Sequence, residues 1–530
     1  MLQLPLKVER GRQSTLQIQL FEQIRRFVLD GRLKPGMMLP SSRALAENLG
    51  ISRHTVMLAY ERLFAEGYLE TKAAARTMVS QGVADLGHLG APPRPPAGPD
   101  GLPPSMCATR YPVVFRGAKM RLDRDSSRMI ADFFVGRPGA DTFPNAIWRR
   151  LLLQQLAKGG TNLTQYGNPA GLDGLREAIA HHLGPARGMR VTPDRVMIVN
   201  GIQEGMNVVS RLFITSATPV AIENPSYQGA AAVFESQGAR LFPVPVDRDG
   251  IDPARLPDGR FALLYLTASH QYPTGATLPL ERRLAALLWA RRTGTYILED
   301  DYDSDFRYDR PPLTAIAGLD SDDVVIYMGT FSKSIGAGLR LGYLVLPPDL
   351  IEPAIRIKSL LNNGHNWLDQ AVLAEFIRTG AFARHLQRIR KIYRARRDSL
   401  LAALGQYFGT VDVTGELGGM HVMWHLPSNL PAAIEVEHIA RRHGIGVYSL
   451  HSGAAHCIGA VPCVERGLIF GYTALPERMI AKGIARLAEA LGAQNARRAL
   501  IATPSLANNA YPAGTPGDAA SGSSTSPRGV

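Results

Sequence analysis

The chain has 530 residues, 45% of them hydrophobic and 20% charged, with a formal net charge of +13. That length exceeds one ordinary domain, the balance excludes a wholly disordered chain, and the positive excess favours a polyanionic partner. No apolar run reaches the ~18–20 residues of a membrane span, and Met1 to Gln13 lacks a signal-type apolar core, so a cytoplasmic protein without a membrane partner is expected.

Residues 1–82 read as a small head. Leu20, Ile24, Phe27 and Val28 share one face of a helix expected over residues 16–30, which Gly31 ends. Ser41 or Ser42 can cap a second helix over residues 43–48, and Gly50 makes the turn. Ser52 caps a third helix with Arg53, His54 and Thr55 in its first turn; Tyr68–Glu70 and Met78–Val79 then form a wing around Arg76. In a helix-turn-helix the N-terminal residues of the recognition helix meet base edges. Arg53 suits a guanine edge, and Thr55 a phosphate or a thymine methyl. The candidate contacts to double-stranded DNA are Ser42, Arg43, Arg53, His54, Thr55 and Arg76.

Residues 83–127 lose periodicity and gather Pro92, Pro93, Pro95, Pro96, Pro99, Pro103 and Pro104, which favours an extended linker. From 128 to 498 short apolar runs alternate with helical patterns. Val196–Val199, Val220–Ile222, Leu263–Leu266, Tyr296–Leu298 and Val324–Tyr327 read as strands buried on both faces, and helices are expected over 171–182 and 280–292. That alternation predicts an α/β domain with a mostly parallel sheet. The residues 499–530, rich in Ser, Gly, Pro and Ala, are expected to be a disordered tail. Cys107, Cys457 and Cys463 lack metal-ligand spacing, and no metal is expected.

Within the body, the residue types suit pyridoxal 5'-phosphate. Such a site needs a lysine for a Schiff base, a carboxylate for the pyridine nitrogen, and donors plus a cation for the phosphate. Lys333 lies beside the hydroxyls of Thr330 and Ser332, with Arg340 seven positions on. Asp300 ends an apolar strand, where ligands gather in open α/β sheets, and Tyr302 can donate to the cofactor's ring oxygen. Gly201, Ile202 and Gln203 follow another strand and open a helix, a phosphate-binding arrangement; Tyr227 can stack on the ring. His270 is assigned a satisfied structural role, and His181 and His182 a solvent-facing helix surface.

Residues 14–82, with Leu39-Pro40-Ser41-Ser42-Arg43 and Ser52-Arg53-His54-Thr55-Val56, resemble the winged-helix DNA-binding domain of the GntR regulators. The resemblance implies DNA contacts by Arg43, Arg53, Thr55 and the wing, although Ala73-Ala74-Ala75 replaces the usual wing glycines. Residues 128–498 resemble fold-type I aminotransferases through Gln165-Tyr166-Gly167-Asn168-Pro169-Ala170-Gly171, Ser269-His270-Gln271-Tyr272-Pro273-Thr274-Gly275, Glu299-Asp300-Asp301-Tyr302-Asp303 and Gly329-Thr330-Phe331-Ser332-Lys333. Together they are similar to the MocR/GabR group of bacterial regulators. That resemblance implies Lys333 in the Schiff base, Asp300 at the pyridine nitrogen, Tyr302 at the ring hydroxyl, Tyr227 in stacking and Tyr272 near the cofactor. It assigns Gly201, Ile202, Gln203, Thr330, Ser332 and Arg340 to the phosphate, and implies a head-to-tail homodimer.

The strand arginine that clamps a substrate carboxylate in such enzymes is missing: Ile469 falls at that position, Arg466 is three residues earlier, and Gly229 stands where a GABA-sensing relative has a second arginine. The expectation is a regulator that senses a small-molecule effector, an amino acid, an amine or the cofactor itself. The rivals are an active aminotransferase with an accessory head, and a sensor of pyridoxal phosphate controlling vitamin B6 synthesis.

Overall fold

A computed structural model describes residues 5–9, 14–72, 76–81, 129–308 and 313–492. The proline-rich segment and the C-terminal tail expected from sequence lie outside the described residues. The chain forms two compact units.

In the head, α1 (Leu16–Leu29), α2 (Ser42–Leu49) and α3 (Arg53–Ala65) precede a two-stranded antiparallel sheet, β1 (Leu69–Lys72) and β2 (Arg76–Val79). Side-chain oxygens of Thr15, Ser41 and Ser52 accept from the first turns of the three helices, so Ser41 caps α2 and Ser42 lies inside it. Gly50 closes α2 at φ +62°, a left-handed conformation in which a Cβ is strained. Leu20, Ile24, Val56, Ala59, Leu63 and Val79 are fully buried and fuse helices and wing into one core. Each such branched aliphatic side chain contributes ~1.5–3 kcal/mol. Tyr60 Oη donates to the Pro40 carbonyl at 2.9 Å and ties α3 to the turn before α2.

In the body, eight strands form one sheet: β3 (Val196–Val199), β4 (Pro219–Asn224), β5 (Arg240–Asp247), β6 (Gly250–Ile251), β7 (Leu263–Leu266), β8 (Tyr296–Asp301), β9 (Val325–Thr330) and β10 (Gly342–Val345). Their spatial order is β3-β10-β9-β8-β7-β4-β5-β6. The expected parallel pairing holds from β9 through β5, while β10 runs antiparallel to β9 and β3. The helices α4 (Asp173–Arg187), α5 (Ile202–Phe213) and α6 (Leu280–Thr293) fall between strands. His182 departs from its expected solvent face: it is half-buried and meets Phe382 edge-on at 5.3 Å.

A smaller antiparallel sheet completes the body: β11 (Asp412–Thr414), β12 (His421–His425), β13 (Tyr448–Ser449) and β14 (Gly467–Gly471), in the order β11-β12-β14-β13. Its side chains alternate. Val422, Trp424, Leu468 and Phe470 join the main core with α7 (Ala381–Phe408) and α8 (Glu477–Ala490), whereas Met423 and Ile469 join a separate cluster with Leu450.

Candidate functional sites

In the head the first turn of α3 is presented outward. Arg53 and His54 are exposed, and Thr55 is half-exposed with its N–H and hydroxyl bonded to Ser52 Oγ at 3.1 and 2.8 Å. That cap leaves the helix N-terminus aimed at solvent, as a groove reader needs. Ser42 is half-exposed, and Arg43 is exposed and forms a surface pair with Glu47. Arg76 opens β2; its side chain lies outside the described atoms.

In the body the chemistry gathers at the carboxyl ends of parallel strands, where open α/β sheets bind ligands. Asp300 and Asp301 are consecutive on β8 and therefore face opposite sides of the sheet. Asp301 turns to structure. Burial would raise its pKa, but the Arg187 guanidinium at 2.7 Å and the Tyr327 hydroxyl at 2.5 Å outweigh that and hold it below the usual range. Asp300 accepts from Tyr265 Oη at 2.8 Å through one oxygen, while its other oxygen is buried without a partner. Burial pushes its pKa up to about 7, against the Tyr265 bond; Asp301 adds to the rise and Lys333 lowers it.

Lys333 is enclosed as well. Its Nζ donates to the Gly136 carbonyl at 3.0 Å, and burial lowers its pKa against the opposing pull of Asp303 and Asp300. Gly136 has φ +77°, a conformation strained for any other residue, and a Cβ on it would stand 2.7 Å from that nitrogen. The phosphate candidates converge from three strands. Gly201 caps α5 at φ +76°, and a Cβ on it would come within 2.6 Å of the Arg340 guanidinium, which donates to the Asn200 carbonyl at 2.9 Å. Thr330, ending β9, accepts from the Ser332 N–H at 3.1 Å and pairs in register with Gly342, itself packed against Gly201. Ile202 and Gln203 form the first turn of α5, and the Gln203 carbonyl oxygen of its side chain is buried without a partner.

Tyr227 is within electrostatic reach of both Asp300 and Arg340, and its ring meets Tyr272 edge-on at 5.8 Å. The Tyr272 hydroxyl donates to the Gly453 carbonyl, so this residue offers the site its ring and not its oxygen. Tyr302 Oη donates to the His270 carbonyl at 3.0 Å, and His270 Nδ1 stands 2.8 Å from Asp303, while His270 Nε2 is buried without a partner, so the histidine expected to be satisfied is satisfied on one nitrogen only. Sequence reasoning missed Gly136 and Tyr265. The only signal for Tyr265 was one polar-tipped residue in the apolar run Leu263–Leu266; Gly136 carried none.

These residues fit pyridoxal phosphate on a test independent of any relative. A buried carboxylate oxygen without a donor is costly, and a protonated pyridine nitrogen would satisfy it. Asp300 would hold that nitrogen, Lys333 the aldehyde carbon, and Gly201, Gln203, Thr330, Ser332 and Arg340 the phosphate.

Two family models match the chain. The bacterial regulatory proteins of the gntR family cover residues 16–79, and the class I and II aminotransferases cover 136–455. The probable rhizopine catabolism regulatory protein MocR of Rhizobium meliloti is 33% identical over 516 residues, covering 93% of this chain and 97% of the relative. The chain belongs to the MocR-type transcriptional regulators. The pyridoxine biosynthesis regulator PdxR of Corynebacterium glutamicum is 31% identical over 488 residues, covering 92% and 98% respectively. Among solved structures, a Pyrococcus horikoshii kynurenine aminotransferase matches 71% of this chain and 95% of its own at 27% identity and a TM-score of 0.64. This MocR-type protein is thus a DNA-binding transcriptional regulator with a winged-helix head and an aminotransferase-like body that takes pyridoxal phosphate.

Proposed function

We propose that the body reports the presence of a small amine or amino acid to the head, and that it is a weak transaminase. Lys333, Asp300 and the phosphate cradle retain every part needed to hold the cofactor. When bound, pyridoxal phosphate supplies an aldehyde that condenses with amines and a ring that withdraws electrons. The chain's own groups prepare for this. Burial disfavours charge on Lys333, which favours the neutral amine a nucleophile needs, and the Tyr302 hydroxyl would have to turn from the His270 carbonyl to donate to a ring oxygen.

The observation that carries the sensing reading is Ile469. It is fully buried with Met423 and Leu450 where an aminotransferase presents the arginine that holds substrate in line for chemistry. No helix among the described residues is long and apolar enough to cross a membrane, which accords with a cytoplasmic regulator. A homodimer belongs to the same proposal. Tyr166 and Leu360 are 87% and 88% exposed, and Leu163 adds to the uncovered apolar surface that a second copy would bury.

The test measures affinity for a DNA fragment selected in vitro, using protein without cofactor, with cofactor, and with cofactor plus a panel of amino acids and amines. A change only when an amine is added to the loaded protein supports sensing. Rapid spectral turnover with a common amino acid overturns it in favour of an enzyme. The likeness to a pyridoxine biosynthesis regulator supports a second reading, in which cofactor alone changes DNA affinity.

A further inference from the structure

We infer that Arg137 recognises the carboxylate of an amine ligand entering the Lys333 site, an assignment that rests on the cofactor reading above. The usual route for such a cation is closed. Ile469 is buried in the apolar cluster, and Arg466 spends its guanidinium on the carbonyls of Leu426, Leu430, Pro431 and Pro427. At position 229 a Cβ would stand 2.5 Å from the Tyr227 ring and 2.6 Å from Gln203, so no side chain enters there without displacing both.

Another segment carries a guanidinium next in sequence to the wall of the Lys333 site. Gly136 forms the wall against Lys333 Nζ and has no side chain, so Arg137 carries the first side chain beyond it. The Gly471 N–H donates to the Phe133 carbonyl at 2.8 Å, which lays residues 133–137 along the end of β14, the strand of Ile469. Tyr448 on β13 is the antiparallel partner of Ile469, so the two side chains leave the same face of the sheet. Tyr448 Oη donates to Asp132 at 2.5 Å, and Arg137 Nη1 donates to the other oxygen of Asp132 at 2.7 Å. A chain of contacts thus holds Arg137 on the face from which a strand arginine would project.

The guanidinium is anchored by one edge. It lies 4.4 Å over the Phe134 ring, and among the described residues Asp132 is its one ionic partner, met through a single nitrogen. Its side chain remains 39% exposed. A stacked planar fork held on one side and open on the other is pre-organised for two parallel bonds to a carboxylate. Asp132, half-buried and bonded to Tyr448, stays in place as the anchor. The ligand class is an amine bearing a carboxylate.

The experiment titrates the visible band of the cofactor-loaded full chain with two matched pairs: L-alanine against ethylamine, and 4-aminobutyrate against propylamine. Each amine is its partner without the carboxylate. In the wild type the acid of at least one pair should act at ~10-fold lower concentration than its amine, the effect of a charge-assisted pair. Arg137→Met should bring that ratio below about threefold with the amine curve unmoved. Arg137→Lys keeps a cation beside Asp132 but loses the fork; with an unchanged melting temperature it should lose most of the preference. Equal responses to acid and amine in the wild type, or a preference that survives in Arg137→Met, overturn the assignment and leave the cofactor reading intact. A protein that gains no visible band from added pyridoxal phosphate overturns both.

Discussion

The head and the body bind their partners by opposite arrangements. Apart from Arg76 on β2, the head's candidate contacts sit in the first turns of α2 and α3, helix starts set by the local caps Ser41 and Ser52. The body's candidates run from Gly136 to Arg340 and come from several strand ends; Asp300, Thr330 and Ser332 are buried, Lys333 and Tyr227 half-buried, and Arg340 exposed. A groove reader must meet a large partner outside itself, whereas a cofactor cradle must exclude water. The head therefore displays charge at little cost, and the body shifts the protonation of groups it encloses.

That contrast can be broken by single changes. Lys333→Ala should abolish the visible absorbance of the loaded protein completely while the head stays folded, seen by absorbance beside circular dichroism. Asp300→Ala should weaken cofactor affinity about 10- to 100-fold, the worth of a hydrogen bond to a charged group at ~1.5–3 kcal/mol, measured by fluorescence titration. Arg53→Ala should weaken specific DNA binding by roughly 10- to 100-fold if it reads a base edge; an equal loss on every sequence would leave it only a phosphate contact.

The titration behaviour should be confined to the body. Burial raises Asp300 and Glu299 to about 7 and Glu223 to about 8, from ordinary values of 3.8, 4.5 and 4.5. For acids raised on folding, the stabilisation is complete below the unfolded value and is lost as pH rises through the folded one. Burial lowers His182, His365, His385, His421, His425 and His456 from 6.5, which acts the opposite way at lower pH. The melting temperature of cofactor-free protein should therefore fall as pH rises from about 6.5 towards 8, and cofactor should reduce that fall by giving Asp300 a cationic partner. The smallest effect is Ser52→Ala, which removes the cap of α3 and should cost ~1 kcal/mol of head stability in thermal melts.

Much of the architecture was legible because its signals are short-range. Capping serines, the left-handed Gly50 and the apolar strands announced their elements within a few residues of each other. The strand β10 was harder to read, since Gly342–Val345 is four residues long and runs against the parallel rule of its neighbours. His182 was misplaced for a related reason. Its helix face looks polar in sequence, and only the approach of Phe382, two hundred residues away in the chain, covers it.

Residue types and spacing alone determined that this chain pairs a DNA reader with a lysine-bearing α/β body, because caps, turns and apolar periods act between near neighbours. Tertiary structure decided which groups are enclosed and which are answered. It showed that Asp301 is neutralised by Arg187 while Asp300, among the described residues, has only a tyrosine donor, and that Arg137 pairs with Asp132. Burial and ion pairing depend on atoms brought together from distant parts of the chain, and no local pattern encodes their distances.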